Sequence, residues 1–444
     1  MHWRITIQAL FFKQIAPYSL VFFRIAFGVC MLVEVWRYFK HDWVARYFII
    51  PEFHFTYWPF DFLSPLPGNG MYWLFALLGL CALFIALGCF YRVAATLFFL
   101  GFTYVFLLEQ TRYLNHFYLI CWMSACLPFL PLHRAYSVDN YLKKQPSQNV
   151  LSGHRLIILF VIAMPYWWGG VAKLNSDWLT GMPMSEWLTR APFYEQLMHI
   201  SDTLNWGVLF AYGSLILDVL AVPTLCYRPT RLPAYGLLVL FHLLNAWWFS
   251  IGIFPWLMIL ATTLFFSPTW AKAIFRLLSK QDHAVAKLPA KTTRKYLVLV
   301  FGTGVLLHTY LPLRHWLYPG NVSWTEEGHR FAWHMKLRDK RAKGHLLVID
   351  QSSGRTWIID PKNYLEAWQA RKMMTRPYLI WQFAQHLANK YRNWGFNPAV
   401  YSRIKVSLNH RDYQMLVDFK TDLSKAERPV FKSSDWIAPL SITQ

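Results

Sequence analysis

Charge is scarce in this sequence. Only 15% of its 444 residues are Asp, Glu, Lys or Arg, against about 25% in an ordinary soluble domain. Acidic residues are the rarer kind, 23 beside 44 Lys and Arg. A chain so poor in charge, 55% hydrophobic and 18% aromatic, is excluded from being one soluble core. The net charge of +21 does not make it a nucleic-acid binder. Its basic residues sit mainly in loops between apolar runs and in the tail, where they set topology and meet anionic lipid. Cysteine is sparse and badly placed for chemistry. Cys30, Cys81, Cys89, Cys121, Cys126 and Cys226 all lie in apolar runs, with no CxxC pair and none in the tail. That argues against a thiol oxidoreductase and against a zinc site, so no metal is expected, and the tail must fold without a disulfide. The sequence also lacks internal repeats, low-complexity stretches and a signal-peptide cleavage pattern.

What is abundant is long apolar runs. They lie near 17–39, 70–91, 93–110, 116–133, 155–173, 207–227, 232–250, 253–270 and 296–314, and a bilayer needs about 20 residues of helix. The first carries Arg24 and Glu34 and reads as a retained span. The expected architecture is an α-helical polytopic membrane protein of about nine spans over residues 1–317. A C-terminal extramembrane α+β domain follows over 318–444. With the N-terminus cytoplasmic, the inner loops hold Arg4, Lys13, Arg92, Arg134, Lys143, Lys144, Arg155, Arg228 and Arg231. A further inner group runs from Lys272 through Arg276, Lys280, Lys287, Lys291 and Arg294 to Lys295. The outer loops are poorer in Lys and Arg, as the positive-inside rule requires. An odd number of spans then puts the tail in periplasm or organelle lumen.

The loop from Phe48 to Asp61 is dense in aromatic residues, which suits an interfacial belt or the lid of an apolar site. In the tail, His345–Asp350 and Arg355–Asp360 read as a hairpin. Residues 362–373 and 376–394 read as helices, with Pro377 in the first turn of the second. Tyr401–Leu408 and Tyr413–Val417 read as a further strand pair.

Ionisable groups at membrane depth are costly, and each is a functional candidate. Helix directions bring Asn115, His116, Tyr166, Lys173, His242 and Asn245 toward one outward-facing pocket. Tyr166 and Lys173, seven apart, share a helix face. An amine among Trp167, Trp168 and apolar neighbours is desolvated, which favours the neutral form and fits a general base. The same lysine also fits a side chain snorkelling to the interface, and the two histidines fit satisfied intramembrane groups. Arg24, Glu34 and Asp218 read as structural pairs between helices.

Several stretches resemble the vitamin K-dependent gamma-glutamyl carboxylase family. They are Phe23–Gly28, Tyr104–Leu108, Asn115-His116 with Tyr118, Tyr136–Asp139 and Gly170–Trp178. Phe249–Gly252, Ser267–Trp270, Phe331–Met335 and Val406–Asn409 with Asp418 complete the set. The most specific is Lys-Leu-x-x-Asp-Trp at 173–178. The resemblance implies an enzyme of the lyase class that couples epoxidation of vitamin K hydroquinone (reduced menaquinone or phylloquinone) to carboxylation of peptide glutamate. The co-substrates would be O2 and CO2, and the product gamma-carboxyglutamate. It implies that Lys173 deprotonates the hydroquinone, that His116 assists carboxylation and that Asn115, Tyr166, His242 and Asn245 lie about the quinone. Trp333, Met335 and Arg338 would receive the glutamate. The partners implied are membrane lipid, a lipid quinone and a glutamate-containing protein. Three departures stand out. Ala172-Lys173 replaces an adjacent pair of lysines, Arg338 stands for a histidine, and Lys340 stands for an arginine. The family's luminal disulfide and distal extension have no counterpart here, which suggests a short, bacterial relative. Two alternatives stay open: a hydroquinone epoxidase that carboxylates nothing, and a non-enzymatic transporter or lipid-binding protein. The last would be expected to show inverted repeats.

Overall fold

A computed structural model of the protein describes residues 10–279, 285–288, 295–428 and 430–441. Of the expected inner-loop cations, Arg4, Lys280, Lys291 and Arg294 lie outside the described residues. Each of the nine apolar runs is helical. In chain order the helices are α1 (Tyr18–Lys40), α2 (Gly70–Leu87), α3 (Tyr91–Leu108), α4 (Asn115–Cys126) and α5 (Ser152–Ala172). Then come α6 (Trp206–Cys226), α7 (Arg231–Phe249), α8 (Phe254–Thr262) and α9 (Lys295–Leu313).

Seven of these are long and apolar enough to cross a membrane among the described residues. The exceptions are α4, of 12 residues, and α8, of 9, each continued by a short 3-10 turn. The sequence explains both. Pro128 lies in the turn after α4, where it cannot supply the next helical N–H. At the end of α8 and the start of the turn after it, the hydroxyls of Thr262 and Thr263 donate back to Met258 O at 2.7 Å and Leu260 O at 2.6 Å, bonds that compete with the helix ladder.

The nine helices nevertheless alternate between two ends of one bundle. At one end, Ser19 N donates to Pro268 O, Asp139 N to Gly88 O and Ser152 N to Lys13 O. At the other end, loops 41–69, 109–114 and 173–205 meet the C-terminal domain. Packing within the bundle is close where residues are small. A Cβ on Gly28 would stand 2.6 Å from Ala86 N on α2, and one on Gly170 would stand 2.7 Å from Val219 Cγ2 on α6. Gly170→Val is therefore expected to push α5 off α6 and to destabilise by about 1–3 kcal/mol, as overpacking does. Thermal unfolding in detergent reads this directly, and an unchanged midpoint would contradict the close approach.

Arg24 and Glu34 are resolved differently from one another. Arg24 makes hydrogen bonds between elements, donating to Leu132 O at 2.9 Å and Tyr136 O at 2.6 Å. Glu34 pairs with Arg37 at 2.5 Å, one turn along α1 itself.

The tail forms the expected α+β domain. Its strands are β1 (Lys340–Lys343), β2 (Leu346–Asp350), β3 (Thr356–Ile359), β4 (Pro398–Ser402), β5 (Lys405–Leu408) and β6 (Gln414–Met415). Helices α10 (Ala367–Met373) and α11 (Pro377–Asn393) lie between β3 and β4. The expected hairpin is β2–β3, with Leu346 opposite Ile359. The stretch expected as one strand from 401 divides at Arg403-Ile404. Its first part, in β4, pairs with β2, and its second, β5, pairs with β1 and β6. Two three-stranded antiparallel sheets result, ordered β3-β2-β4 and β1-β5-β6.

The aromatic loop at 48–61 divides as well. Phe55 is fully buried in the core of the C-terminal domain, while Phe62 just beyond is exposed. Phe53 packs against the His386 ring at 4.3 Å between centroids. Gln382 Nε2 donates to Thr56 O at 3.0 Å, and Gln369 Nε2 donates to the Glu109 carboxylate at 2.9 Å. This loop is a seam between bundle and domain rather than a lid.

A second seam joins two of the motif stretches. Arg411 grips Asp177 through Nη1 and Nη2 at 2.9 and 2.5 Å, and Asn409 Nδ2 donates to Asp177 at 2.6 Å. Burial opposes ionisation of Asp177, but these bonds outweigh it and its carboxyl is held below the usual range. Charge-assisted bonds contribute about 1.5–3 kcal/mol when buried, less where one partner is partly wet, as Arg411 is. Arg411→Ala is expected to cost about 1–2 kcal/mol and to loosen the domain, measured as faster proteolysis at 395–413. An unchanged cleavage rate would contradict the clamp.

Candidate functional site

The site is built where α5, α6 and α7 reach the domain-bearing end of the bundle. Lys173 caps the C-terminus of α5, and Asp218 lies on the facing side of α6. Both are buried, and Lys173 Nζ donates to Asp218 Oδ2 at 2.6 Å and to Ser214 O at 3.3 Å. Trp178, fully buried, lies under the amine at 5.4 Å. The aromatic shield is therefore Trp178 rather than Trp167, which is 47% exposed. The buried amine is also not isolated, because the Asp218 carboxyl group lies beside it.

Two turns back along α5, the Tyr166 hydroxyl is hydrogen-bonded to His242 Nε2 of α7 at 2.7 Å. Nδ1 of His242 is buried and has no hydrogen-bond partner. His242 and His116 both pack against Phe254, each with its ring centre 5.8 Å away. Asn115 opens α4. It accepts from the Tyr113 hydroxyl at 2.9 Å and donates to the His334 carbonyl at 3.2 Å.

The His334 bond ties the membrane helices to the segment 331–335. Phe331 N donates to the Tyr113 hydroxyl at 2.7 Å. Trp333 is fully buried against Tyr118, with centroids 5.0 Å apart. Met335 reaches furthest. Its Cε lies 3.1 Å from where a Cβ on Gly169 would stand, and Asp218 Oδ2 lies 3.3 Å from the same point. A side chain at 169 would crowd both atoms. Phe331 and Trp333 both hold positive φ, +65° and +59°, conformations that are costly outside glycine and that cluster at working sites. Burial pushes the His334 imidazole down to about 3, with His315 and Arg338 adding to the effect, so it is neutral.

The structure thus brings together Lys173, Tyr166, His242, His116, Asn115, Trp333 and Met335. Two expected residues stand apart. Asn245 donates to Phe241 O of its own helix at 2.9 Å. Arg338 does hold a carboxylate, but it is the chain's own: Arg338 Nη2 donates to Glu326 Oε2 at 2.7 Å, and Lys340 Nζ donates to Glu326 Oε1 at 3.1 Å. Arg376 Nε stands 4.0 Å from the same carboxylate. Burial would raise the Glu326 carboxyl, but these cations win and hold it at about 2. Burial pushes Lys340 down to about 7 despite Glu326 beside it, since one carboxylate serves several cations.

Sequence reasoning had assigned Asp218 to the framework and passed over Glu326. Asp218 carried a signal: a carboxylate at membrane depth, on a helix that faces a lysine. Glu326 carried none, because the turn that aims it at Arg338 is not periodic.

Compared with known families, residues 12–270 match the model of the HTTM domain, and residues 293–443 match that of the vitamin K-dependent gamma-carboxylase lumenal domain. No solved structure matches the chain. The first match covers the bundle through the end of α8, and the second takes in α9 and the whole α+β domain. Together with the apolar helices and the seams that fasten one part to the other, these matches make the chain an integral membrane protein of the vitamin K-dependent gamma-carboxylase family.

Proposed function

We propose that the protein is a vitamin K-dependent gamma-glutamyl carboxylase that couples hydroquinone epoxidation to carboxylation of a peptide glutamate. The observation that carries this is the meeting of Met335, from the C-terminal domain, with the Lys173–Asp218 pair at Gly169. One site is then bounded by the bundle on one side and by the C-terminal domain on the other, as a reaction between a membrane lipid and a peptide would need. The residues present fit a quinone ring. Tyr166 and His242 supply polar atoms, with His242 Nδ1 unpartnered, and Phe254 supplies an apolar wall.

Bound there, vitamin K hydroquinone supplies, with O2, the strong base that glutamate carboxylation needs. The chain's own part is to move and hold protons and to keep water out. Lys173 is the proton acceptor, and Asp218 orients the amine and balances its charge when it becomes an ammonium. Tyr166, His242 and Asn115 position the ring, with Asn245 on the same face of α7 as His242, three residues on. His116 serves the carboxylation half. Trp333 and Met335 form the wall toward the glutamate, and the packed aromatic residues around them exclude water.

In this reading the N-terminus is cytoplasmic and the domain lies in periplasm or lumen. The supporting feature is that Arg92, Arg134, Lys143, Lys144, Arg155, Arg228 and Arg231 belong to the end away from the domain.

The engagement of Arg338 with Glu326 favours one second reading, hydroquinone epoxidation without a glutamate acceptor. Incubation with hydroquinone, labelled bicarbonate and a glutamate peptide separates the two. Label in the peptide is expected. Epoxide formed while the peptide stays unlabelled would reject the carboxylase and leave the epoxidase.

A further inference from the structure

Beside the segment 331–335 lies a second polar site. A cavity of about 200 Å³ opens between the aromatic loop, the end of α9 and the C-terminal domain, and Tyr57, Arg314, Arg330, Phe331 and Tyr378 line it. At roughly 30 Å³ per water-sized group, it holds about six such groups, too few for a quinone with its tail. Four polar atoms of its lining residues are buried with no hydrogen-bond partner: the Tyr57, Tyr378 and Ser434 hydroxyls and Arg330 Nη2. Buried polar atoms are nearly always partnered, and exceptions call for an explanation.

The charges point the same way. Two acidic side chains line this cavity, and both are committed. Glu326 is bound to Arg338 and Lys340, and Glu327 accepts from Ser434 N at 2.8 Å. Arg314 lies over the Phe331 ring at 5.6 Å and donates to Arg330 O at 2.6 Å. The Arg330 guanidinium makes no ion pair among the described residues. Burial raises the Tyr57 hydroxyl well above its ordinary range, against the opposing charge of Arg330, so Tyr57 remains a donor. A half-buried guanidinium and a buried phenol, both unsatisfied and both donors, face one small space.

We propose that this cavity binds a small carboxylate-type anion, held by Arg330 and by the Tyr57 hydroxyl. Two sources share that chemistry: a glutamate side chain of a peptide, and bicarbonate. Naming the peptide as the source rests on the carboxylase reading above, whereas the anion site does not. Its position fits either source. Phe331 forms the wall of the cavity, touching Tyr57, Tyr113 and Tyr118 with centroids 6.0, 5.4 and 5.0 Å away. Through Tyr113 it is joined to Asn115. An anion here would touch Phe331, two hydrogen bonds from Asn115, and would have cations that are not already held by Glu326 as Arg338 is.

The test is equilibrium binding to the full chain in lipid nanodiscs, by isothermal titration. The probes are N-acetyl-glutamate-N-methylamide, its glutamine counterpart and sodium bicarbonate. Arg330→Gln is expected to weaken at least one anion tenfold or more, and Tyr57→Phe several-fold, with the glutamine compound not bound. Weakening of the glutamate compound assigns the site to a peptide, and weakening of bicarbonate alone assigns it to the carbon source. Should Arg330→Gln fail to fold, Tyr57→Phe decides, because that hydroxyl has no native bond to lose and its removal costs the fold little. Equal binding to wild type and variants, no saturable binding of either anion, or equal binding of the glutamine compound would overturn the proposal. Epoxide formation by the wild type, measured separately, reports on the carboxylase reading and not on this site.

Discussion

Glu326→Ala is expected to be among the most damaging single substitutions in the domain, at about 3–5 kcal/mol, the usual cost of stripping one partner from a buried ionic cluster. It would leave Arg338, Lys340 and Arg376 in a buried pocket without their carboxylate. Glu326→Gln keeps the shape and loses the charge, so it should cost nearly as much. The same cluster predicts a pH dependence. The Glu326 carboxyl is held at about 2 in the folded chain against 4.5 for the free group. Its contribution is therefore present above 4.5 and is lost as pH falls from 4.5 toward 2. The size is about 3 kcal/mol, at 1.4 kcal/mol per pH unit. Lys340 acts on the alkaline side. Its folded value of about 7 lies below the ordinary 10.5, so between those values the unfolded chain binds the extra proton and stability rises with pH. Denaturant midpoints of the domain signal across pH 2 to 10 read both limbs. A flat acid limb in the wild type, or a steep one surviving in Glu326→Gln, would contradict the assignment.

Lys173→Ala should fail in two separable ways. Alone, it leaves Asp218 buried without its partner, at a cost of about 3–5 kcal/mol. Combined with Asp218→Asn it leaves no buried charge, and most of that stability should return. Activity should not return, because the proton acceptor is absent from both. General-base catalysis contributes about 10²–10⁴-fold, and a loss of that size is expected for each variant. A single variant as stable as wild type would remove the pair from the account. An active double variant would remove the base.

The fold was legible wherever periodicity carried it. Nine apolar runs gave nine helices, and Gln351-Ser-Ser-Gly354 marked the β2–β3 hairpin correctly. Lengths were less legible, since hydropathy does not register the back-bonding of Thr262 and Thr263 or the reach of Pro128. Tertiary pairing was not legible. Asp177 and Asn409 belong to two motif stretches 232 residues apart, and nothing in either says that they meet. Tyr136 and Arg24, from two others, likewise meet at 2.6 Å. The aromatic loop reads from sequence as an interfacial belt or the lid of an apolar site, because sequence cannot tell a ring that faces lipid or a ligand from one that faces a second domain. At the site, helix direction and spacing were enough to gather Tyr166, Lys173 and His242. They were not enough to show that Asp218 belongs with Lys173 or that Glu326 already holds Arg338, because both depend on which side chains face each other across separate elements.

The most direct test of the central claim is epoxide production from vitamin K hydroquinone in lipid–detergent micelles. The comparison is between wild type and the Lys173→Ala, Asp218→Asn double variant, at matched folded fraction. The account predicts 2,3-epoxide from the wild type and a loss of at least a hundredfold in the variant. Equal epoxide from both, or none from a folded wild type given several quinones and a glutamate peptide, would contradict it.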